Sequence, residues 1–415
     1  MNTRLSRRAV LKSTAGFALL AGVSAPAIVR AQADTIRIGH LTPLTGFLGP
    51  LGEYAVMGVK LAAEEVNGAG GVMGRKIELV MEDSVNPQTA SAKAERLIER
   101  DKVAMIIGEI SSASGLAIGQ VANRMKTVFI NTGCNSDALR GASCNPYMFH
   151  IEGANSMYVM AVGQYLLREN MVKGKKWYSL TADYAFGHDL ERQATDQLVK
   201  EGGKVVGGVR TPLGTPDFSS FLLQAQTSGA QVVALAVAGG DTTNSLKQAA
   251  EFGLPAKQSI VSLIFTLNNV PALGLKASQG VLTVNPFYWD MNENTRAFSR
   301  RFQARAHNKA MPNDMQAGVY SAVLHFLKAV DKVGAATDGK AVVAAMKAMP
   351  TDDPLFGKGR IREDGRKLHP MYLLQVKSPE ESKGDWDYYK VISTIPAEQA
   401  FRPMSEGNCP LVAGK

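Results

Sequence analysis

The sequence predicts an α/β protein with two doubly wound lobes, each built on a parallel sheet that helices cover. Strand-like and helix-like segments alternate along the chain, and the alternation restarts after His150. A strand, a helix and a second strand in this order form a βαβ unit, whose two strands run parallel. A chain of 415 residues also suggests two domains of ordinary size.

The clearest βαβ unit lies between residues 34 and 83. A short apolar strand at 35–41 is followed by a segment whose apolar residues recur at helical spacing: Val56, Val59, Leu61, Ala62 and Val66. Asn67 and Gly68 tolerate the left-handed conformation that a helix end needs, so we expect the helix to end there. A glycine-rich connector then leads to a second strand at 76–83.

Further segments repeat this alternation. Strands are predicted at 103–108 and 127–131, and in the second half at 177–183, 204–208, 231–237 and 259–264. Helices are predicted at 89–101, 113–124, 189–200, 218–228 and 244–252. Neither half shows a short solenoid-type repeat.

Residues 1–33 are predicted to be an export signal rather than part of the fold. Arg7 and Arg8 precede an apolar stretch, roughly 15–29, in a pattern typical of twin-arginine export. The stretch is short and glycine-rich for a membrane span, and Ala31-Gln32-Ala33 fits the small-x-small cleavage rule. We therefore expect cleavage after Ala33, with an uncleaved N-terminal anchor as the alternative.

Charge and motifs exclude several classes of function. The net charge is +9, and residues 1–33 hold five basic residues and no acid, so the remainder carries only +4. This balance gives no reason to expect nucleic acid as a partner. Phosphate-loop and nucleophile-elbow motifs are missing, and the six histidines lack metal-ligand spacing. We expect a protein that is not an enzyme and needs no cofactor.

Seven motifs resemble one family in order and spacing. They are L-T-P-L-T-G at 41–46, V-N-G-A-G-G-V-M-G-R-K-I-E-L at 66–79, N-P-Q-T-A at 86–90, I-G-E-I-S-S at 107–112, D-Y-A-F-G at 183–187, D-F-S-S-F at 217–221 and K-Q-A-A-E-F-G-L at 247–254. The chain resembles the periplasmic substrate-binding proteins of branched-chain amino-acid (leucine/isoleucine/valine) ABC transporters. The resemblance covers nearly all of the chain after residue 33.

The resemblance implies a type I periplasmic binding fold whose lobes are joined by a three-strand hinge. Lobe one would comprise 34–153 and 286–366, and lobe two 154–285 and 367–415. It also implies a periplasmic location, a small-molecule ligand, an inner-membrane ABC permease as partner, and a monomer. A ligand-sensing module for a signalling partner remains an alternative for the same fold.

Three cysteines, Cys134, Cys144 and Cys409, permit one disulfide in an oxidising compartment. The bridge that many family members carry in lobe one is missing, because Val85 and Ser111 stand at its positions. We expect Cys144 to pair with Cys409 and Cys134 to stay free in a pocket loop that suits a small residue. Three free thiols are the alternative.

Ligands of open α/β sheets bind beyond the carboxyl ends of the strands. In lobe one this selects Ser112, which can cap a helix and whose hydroxyl can hold a carboxylate at the helix start. Plain capping without a ligand contact is the alternative. The resemblance assigns the carboxylate contact to Ser112, a backbone contact to Gly133, and a hydroxyl position that Asn135 replaces with an amide.

Lobe two is expected to contribute Tyr184, Phe186, Asp241 and Phe265. The family's amino-acid receptors place a tyrosine where Phe186 stands and a glutamate near Phe265, so this wall is predicted to be more apolar. Gly239 and Gly240 replace an aromatic-rich loop and are expected to leave room for a larger ligand. Tyr184 and Phe186 could instead pack inside lobe two.

These differences bear on the ligand. Burying an ammonium group without an anion costs several kcal/mol. The missing glutamate therefore favours an aromatic or hydrophobic organic acid over a free amino acid. Asp183 or Asp241 could replace the missing acid, so a true branched-chain amino-acid or amide receptor stays open.

Overall fold

A five-stranded parallel sheet forms the centre of the first lobe. In this computed structural model, which describes residues 35–306 and 309–412, the strands are β1 (Ile36–Thr42), β2 (Ile77–Asp83), β3 (Met105–Gly108), β4 (Val128–Asn131) and β5 (Met148–His150). Their order is β2-β1-β3-β4-β5, and every neighbouring pair is parallel. The predicted export signal at 1–33 lies outside the described residues.

Three helices connect these strands: α1 (Gly49–Gly68), α2 (Pro87–Glu99) and α3 (Ser112–Met125). Helix α1 ends at Gly68 as predicted. The Asn67 side chain exchanges hydrogen bonds with the backbone N–H and C=O of Ile77, which fixes the entry to β2. Gly71 has a φ of +86°, and a Cβ there would lie 2.1 Å from the Arg75 carbonyl oxygen, so the connector requires glycine.

The second lobe repeats the topology of the first. Helix α4 (Asn155–Arg168) leads into β6 (Lys176–Ala182), α5 (Ala185–Lys200), β7 (Lys204–Thr211), α6 (Ser219–Thr227), β8 (Val232–Ala236), α7 (Gly240–Glu251) and β9 (Ser259–Ser262). The parallel strand order β7-β6-β8-β9 matches the first four strands of lobe one. The prediction of two doubly wound lobes is confirmed.

The remaining elements are α8 (Asn269–Leu273), α9 (Leu275–Ser278), β10 (Leu282–Asn285), α10 (Glu293–Arg305), α11 (Asp314–Val333), α12 (Gly339–Ala348), β11 (Arg360–Ile361), β12 (Lys367–Leu368), β13 (Met371–Val376), β14 (Tyr389–Ile395) and α13 (Ala397–Ala400). Helices α10 and α11 bury Phe298, Phe302 and Phe326 in one apolar core with Ile38 of β1 and Ile107 of β3.

The chain moves between two separate apolar cores along its length. The core of lobe one contains residues up to Ile151 and again from Phe287 to Ile361, whereas the core of lobe two begins at Ala154 and resumes at Leu368. Two of these crossings run side by side, because the His150 N–H donates to the Gly365 carbonyl oxygen at 3.0 Å.

Lobe two is not built from parallel strands alone. Strands β10, β13 and β14 form a separate sheet in which both pairs are antiparallel. The sequence prediction missed this sheet because its strands come from distant parts of the chain. Helices α10–α12 separate β10 from β13, so no local βαβ pattern marks the pairing.

The C-terminal tail leaves lobe two, which corrects the expectation that all of 367–415 belongs there. Phe401 still packs in the core of lobe two, but Arg402 pairs with Asp137 of lobe one at 3.5 Å. Further on, Cys409 forms a disulfide with Cys144, with their Cα atoms 5.6 Å apart. Periodicity could not show this return, because it depends on a covalent contact between residues 265 positions apart.

Candidate functional site

Loops at the carboxyl ends of the central strands of both lobes meet in one buried cleft. In a sheet ordered 2-1-3-4, the chain reverses its winding direction between strands 1 and 3, and ligands bind beyond that point. Here a hydrogen bond joins the loops after β3 and β4 of lobe one, and the loop after β1 contacts the loops after β7 and β8 of lobe two. Gly239 of lobe two lies against Leu51 and Phe47 of lobe one, so the loops are in contact.

Ser112 is fully buried as the first residue of α3, but it does not cap the helix. Ser111 is the cap, because its hydroxyl accepts a hydrogen bond from the Ser114 N–H at 3.5 Å. The Ser112 hydroxyl instead accepts from the Ser136 N–H at 3.2 Å, which ties the loop after β3 to the loop after β4. A hydroxyl that accepts one hydrogen bond still has its own hydrogen to donate.

The loop after β4 places Gly133 and Asn135 beside the loop after β3. A Cβ at Gly133 would lie 2.7 Å from Ile110 Cδ1, so only glycine fits there. The Gly133 N–H already donates to Asn131 Oδ1 at 3.3 Å, so this donor is used within its own loop. Asn135 Oδ1 is buried without a hydrogen-bond partner. Of these two residues, Asn135 is the better placed to hold a ligand.

Glu109 is a cleft residue that the sequence analysis overlooked. It follows β3 with a φ of +89°, a strained conformation for a residue with a side chain. Its Oε1 atom accepts from the backbone N–H groups of Ile110 at 3.0 Å and Ser111 at 2.9 Å, while Oε2 has no partner with hydrogen-bond geometry. The sequence does contain a signal for this residue: in I-G-E-I-S-S an acid directly follows a buried strand, where ligand-binding loops begin.

The pKa of Glu109 follows from this environment. Burial raises it to about 7, and hydrogen bonds from Ser84 and from the Ser111 and Ile110 backbone lower it only in part. The negative charge of Asp83 raises it further. Near neutral pH this carboxyl therefore exchanges between its protonated and its ionised form.

Tyr184 and Phe186 both pack in the apolar core of lobe two, and their rings are 5.6 Å apart. Phe186 is buried inside that core with Leu190, whereas Tyr184 packs against it as a partly buried residue. Burial raises the pKa of Tyr184, and the neighbouring Cys134, Asp241 and Glu109 raise it further. The alternative of internal packing therefore fits Phe186, and Tyr184 lies at the edge of the core.

Of the two acids considered in lobe two, only Asp241 is buried. It lies in the first turn of α7, where Oδ2 accepts from the Gly214 N–H at 3.1 Å and Oδ1 has no partner. Burial raises its pKa to about 6. Asp183 is exposed and binds His188 at 2.7 Å, so it does not face the cleft.

Phe47 occupies the space that Gly239 and Gly240 were expected to leave for a larger ligand. A Cβ built at Gly239 would lie 3.7 Å from the Phe47 ring, and one at Gly240 would lie 3.6 Å from it. A Cβ built at Gly214 would also lie 3.5 Å from the Phe47 side chain. Sequence reasoning missed Phe47 because the contact joins residues of opposite lobes.

Phe265 does not join the other predicted site residues. Its side chain is 1% exposed and packs in an apolar cluster with Leu267, Tyr288, Leu374 and Tyr389. This cluster belongs to the antiparallel sheet of lobe two, which the sequence did not predict. The structure therefore places Phe265 apart from the other predicted site residues.

Cys134 is the one free cysteine among the described residues, and it is buried in the loop after β4. Its Sγ lies 3.2 Å from the Ser111 carbonyl oxygen. In the same part of the chain, no three His, Cys, Asp or Glu side chains are grouped to hold a metal ion. No helix within residues 35–306 and 309–412 has the length and apolar character to cross a bilayer.

Two sheet-based lobes with polar loops around a shared buried cleft define a bilobal ligand-binding protein. Comparison with known proteins identifies its family: the chain belongs to the periplasmic binding proteins, whose profile matches residues 35–385. The family resemblance predicted from the sequence is thereby confirmed.

Named relatives match part of their own length. An "Amino acid binding protein" of Pseudomonas aeruginosa is 30% identical over 260 residues, which cover 62% of this chain and 66% of the relative. The "Leu/Ile/Val-binding protein homolog 7" of Brucella suis is 32% identical over 245 residues, 57% of this chain and 59% of the relative. The chain thus spans about three fifths to two thirds of these relatives.

Solved structures match more completely. A periplasmic binding protein from Burkholderia mallei is 40% identical with a TM-score of 0.87, covering 92% of this chain and 100% of that one. A branched-chain amino acid ABC transporter periplasmic ligand-binding protein from Burkholderia xenovorans is 36% identical with a TM-score of 0.78, covering 91% and 100%. These matches confirm the type I periplasmic binding fold.

Proposed function

We propose that this protein is an exported receptor that captures a small carboxylate-bearing solute between its lobes and delivers it to the permease of an ABC importer. The observation that carries the proposal is a set of buried polar atoms without partners in loops of both lobes. They include Asn135 Oδ1 from lobe one and Asp241 Oδ1 from lobe two. Buried polar groups are normally hydrogen-bonded, so a polar ligand is the natural partner for these atoms.

The start of α3 is the site for the ligand carboxylate. Helix N-termini carry a partial positive charge that attracts anions, and α3 has 14 residues. The Ser112 hydroxyl lies in its first turn and has a hydrogen free to donate. The rings of Phe47 and Tyr184 form the apolar surface for the body of the ligand.

Export and transport follow from the family and from the sequence of the first 33 residues. Two of the relatives described above are named for amino-acid binding, and the Burkholderia xenovorans structure is of an ABC transporter protein. We propose that the protein acts in the periplasm, as a monomer and without enzymatic activity. A solute recovered chemically unchanged after incubation with the protein supports a receptor, whereas conversion of the solute contradicts it.

The proposal is tested by a thermal-shift screen of amino acids, aromatic acids and amides, followed by calorimetry. Ser112→Ala should weaken binding of the best ligand by about 1–3 kcal/mol, the range for a hydrogen bond to a charged group. Ser278→Ala is the matched control. Ser278 of α9 is also buried, but its hydroxyl donates to the Gly274 carbonyl oxygen and so is used within the protein. Equal losses in the two variants, or no ligand in any class, would contradict the proposal.

Delivery to an importer needs a second measurement. Cells that lack the gene should take up less of the identified solute, and restoring the gene should restore uptake. If the solute binds but uptake is unchanged, the receptor serves another partner, such as a signalling protein.

A further inference from the structure

We propose that Asp189 is a positioning residue for ligand binding, because it holds the loop after β4 in the shape that presents Asn135 to the cleft. Asp189 belongs to α5 of lobe two, whereas the loop belongs to lobe one. The inference rests on the proposed function and deepens it. It connects the arrangement of the two lobes to the geometry of one ligand contact, through a residue that need not touch the ligand.

Three consecutive residues of the loop after β4 bond alternately to the two lobes. The Asn135 carbonyl oxygen accepts from the Asn155 N–H of α4, in lobe two, at 2.8 Å. The Ser136 N–H donates within lobe one, to the hydroxyl at the start of α3, at 3.2 Å. The Asp137 N–H donates to Asp189 Oδ2 of lobe two at 2.8 Å. Two of these three backbone contacts therefore come from lobe two.

The Asp137 carboxylate makes a further contact across the same boundary. Its Oδ2 accepts from the Ser156 N–H at 2.7 Å, and its Oδ1 accepts from the Ser156 hydroxyl at 2.7 Å. Asp137 is 5% exposed, so water competes little for these hydrogen bonds. Hydrogen bonds to an ionised carboxylate are shorter and stronger than neutral ones. The loop after β4 is thus joined to the start of α4 as well as to α5.

Asp189 is the member of this network that comes from farthest along the chain. Asn155 and Ser156 directly follow the crossing at 151–154, so chain connectivity alone keeps them near the loop. Asp189 lies 34 positions after Asn155, and it reaches the loop because α5 of lobe two contacts α3 of lobe one. Its hydrogen bond to the loop therefore depends on how the two lobes are arranged.

The Asp189 carboxylate is held in place from within lobe two. Its Oδ2 also accepts from Asn155 Nδ2 at 2.9 Å, and its Oδ1 accepts from Arg192 at 2.7 Å. Arg192 balances this charge, while Arg402 lies 3.5 Å from Asp137 Oδ1 and balances the second acid. Because each buried carboxylate has its own cation, the two acids need no charged ligand between them. The network acts on the loop rather than on the ligand.

The effect on the ligand passes through Asn135. Its side-chain Oδ1 is buried without a partner, and its backbone lies between groups that lobe two holds. Loss of the Asp189 carboxylate frees the Asp137 N–H and lets the loop adopt other conformations. The ligand then loses a preorganised contact, and changes of this kind act mainly on the dissociation rate.

Binding kinetics with leucine and with benzoate test the inference, and the probe that binds wild-type protein more tightly is kept for all variants. Asp189→Ala should raise the dissociation rate by about tenfold or more and change the association rate less than about threefold. Asp196→Ala is the matched control, because Asp196 of α5 binds the same Arg192 at 3.4 Å but its side chain is 66% exposed. It should leave both rates unchanged. An unchanged dissociation rate in Asp189→Ala would overturn the inference.

A double-mutant cycle with Asn135 separates positioning from a general effect on the lobes. If Asp189 acts by placing Asn135, Asp189→Ala should weaken binding less than about threefold in a protein that already carries Asn135→Ala. An equal loss in both backgrounds would refute positioning. Asp189→Asn keeps the size of the side chain and one acceptor oxygen, and it replaces Asp189→Ala if that variant does not fold. A loss in Asp189→Asn that persists after Asn135→Ala refutes the inference equally.

Amide hydrogen exchange measured by NMR gives a readout that needs no ligand. Asp189→Ala or Asp189→Asn should raise the exchange rate of the Asp137 amide, by about tenfold or more in the alanine variant. The Ile130 amide of β4 should be unaffected. No change at Asp137, with or without probe, would overturn the inference. If neither probe binds wild-type protein, the proposed function fails for both classes of ligand, and the exchange rates alone decide whether Asp189 holds the loop.

Discussion

The disulfide between Cys144 and Cys409 should contribute strongly to global stability. It joins residues 265 positions apart, so it closes the larger part of the described chain into a loop. The chain-entropy relation for a loop of this length gives roughly 5 to 6 kcal/mol of stabilisation, acting mainly through the unfolded state. This value is an upper estimate, because residual structure in the unfolded chain reduces the entropy that the bridge removes.

The measurement is urea unfolding followed by tryptophan fluorescence, with oxidised protein compared with the Cys144→Ser/Cys409→Ser double variant. We expect the variant to lose several kcal/mol and to show a larger m-value, because an unfolded chain without the bridge exposes more surface. Cys134→Ala is the control. It keeps the bridge, so addition of reductant should still lower its stability, whereas reductant should not affect the double variant.

A loss below about 1 kcal/mol with an unchanged m-value would refute the loop-closure reasoning. It would mean that the tail detaches alone while both lobes stay folded. Limited proteolysis distinguishes the cases, since local detachment exposes residues after Arg402 without cleavage in the lobes.

Three further predictions concern acid titration, closure and export. Glu109 and Asp241 have pKa values raised to about 7 and about 6, so their stabilising contribution is present below pH 4 and is lost as pH rises through 6 to 7. In unfolding measured at pH 5 and pH 8, Glu109→Gln should remove up to roughly 2.5 kcal/mol of this loss, and Asp241→Asn up to roughly 1.4 kcal/mol. An identical pH profile in wild type and both variants would contradict the raised pKa values. Saturating ligand should reduce the radius of gyration measured by small-angle scattering, and no change would indicate a rigid molecule. Replacing Arg7 and Arg8 with lysine should leave the precursor in the cytoplasm, and normal periplasmic recovery would argue against the twin-arginine route.

The sequence predicted the fold well because the fold is encoded locally. Apolar periodicity located β1 and α1, and the helix ends at Gly68 as expected, although the first left-handed residue after it is Gly70 rather than Asn67 or Gly68. Each of these signals lies within a window of fewer than about 20 residues. Helical and strand periodicity can be told apart within such a window. The antiparallel sheet of lobe two has no such signal, because its strands pair across α10–α12.

The candidate site was predicted less completely, because a cleft is defined by groups that meet from separate lobes. Ser112 and Asp241 were selected by their place after strands and are buried there, whereas Phe47 and Glu109 were not selected, and Phe265 lies in an apolar cluster apart from them. The direction of a side chain after a strand depends on the local backbone and side-chain torsions, as the φ of +89° at Glu109 illustrates. No periodic pattern records such an angle.

The return of the C-terminal tail to lobe one limits how the lobes can turn. Phe401 packs in lobe two and the next residue, Arg402, binds Asp137 of lobe one. The chain therefore crosses between the lobes here without a linker. Bodies joined at a single point can rotate about any axis, whereas bodies joined at several points turn only about a line that passes close to all of them. The crossings at 151–154, 284–287, 361–368 and 401–402 therefore restrict how the lobes can turn relative to each other. We expect opening of the cleft to bend the chain at all four crossings together, so that the cleft loops return to the same contacts at each closure.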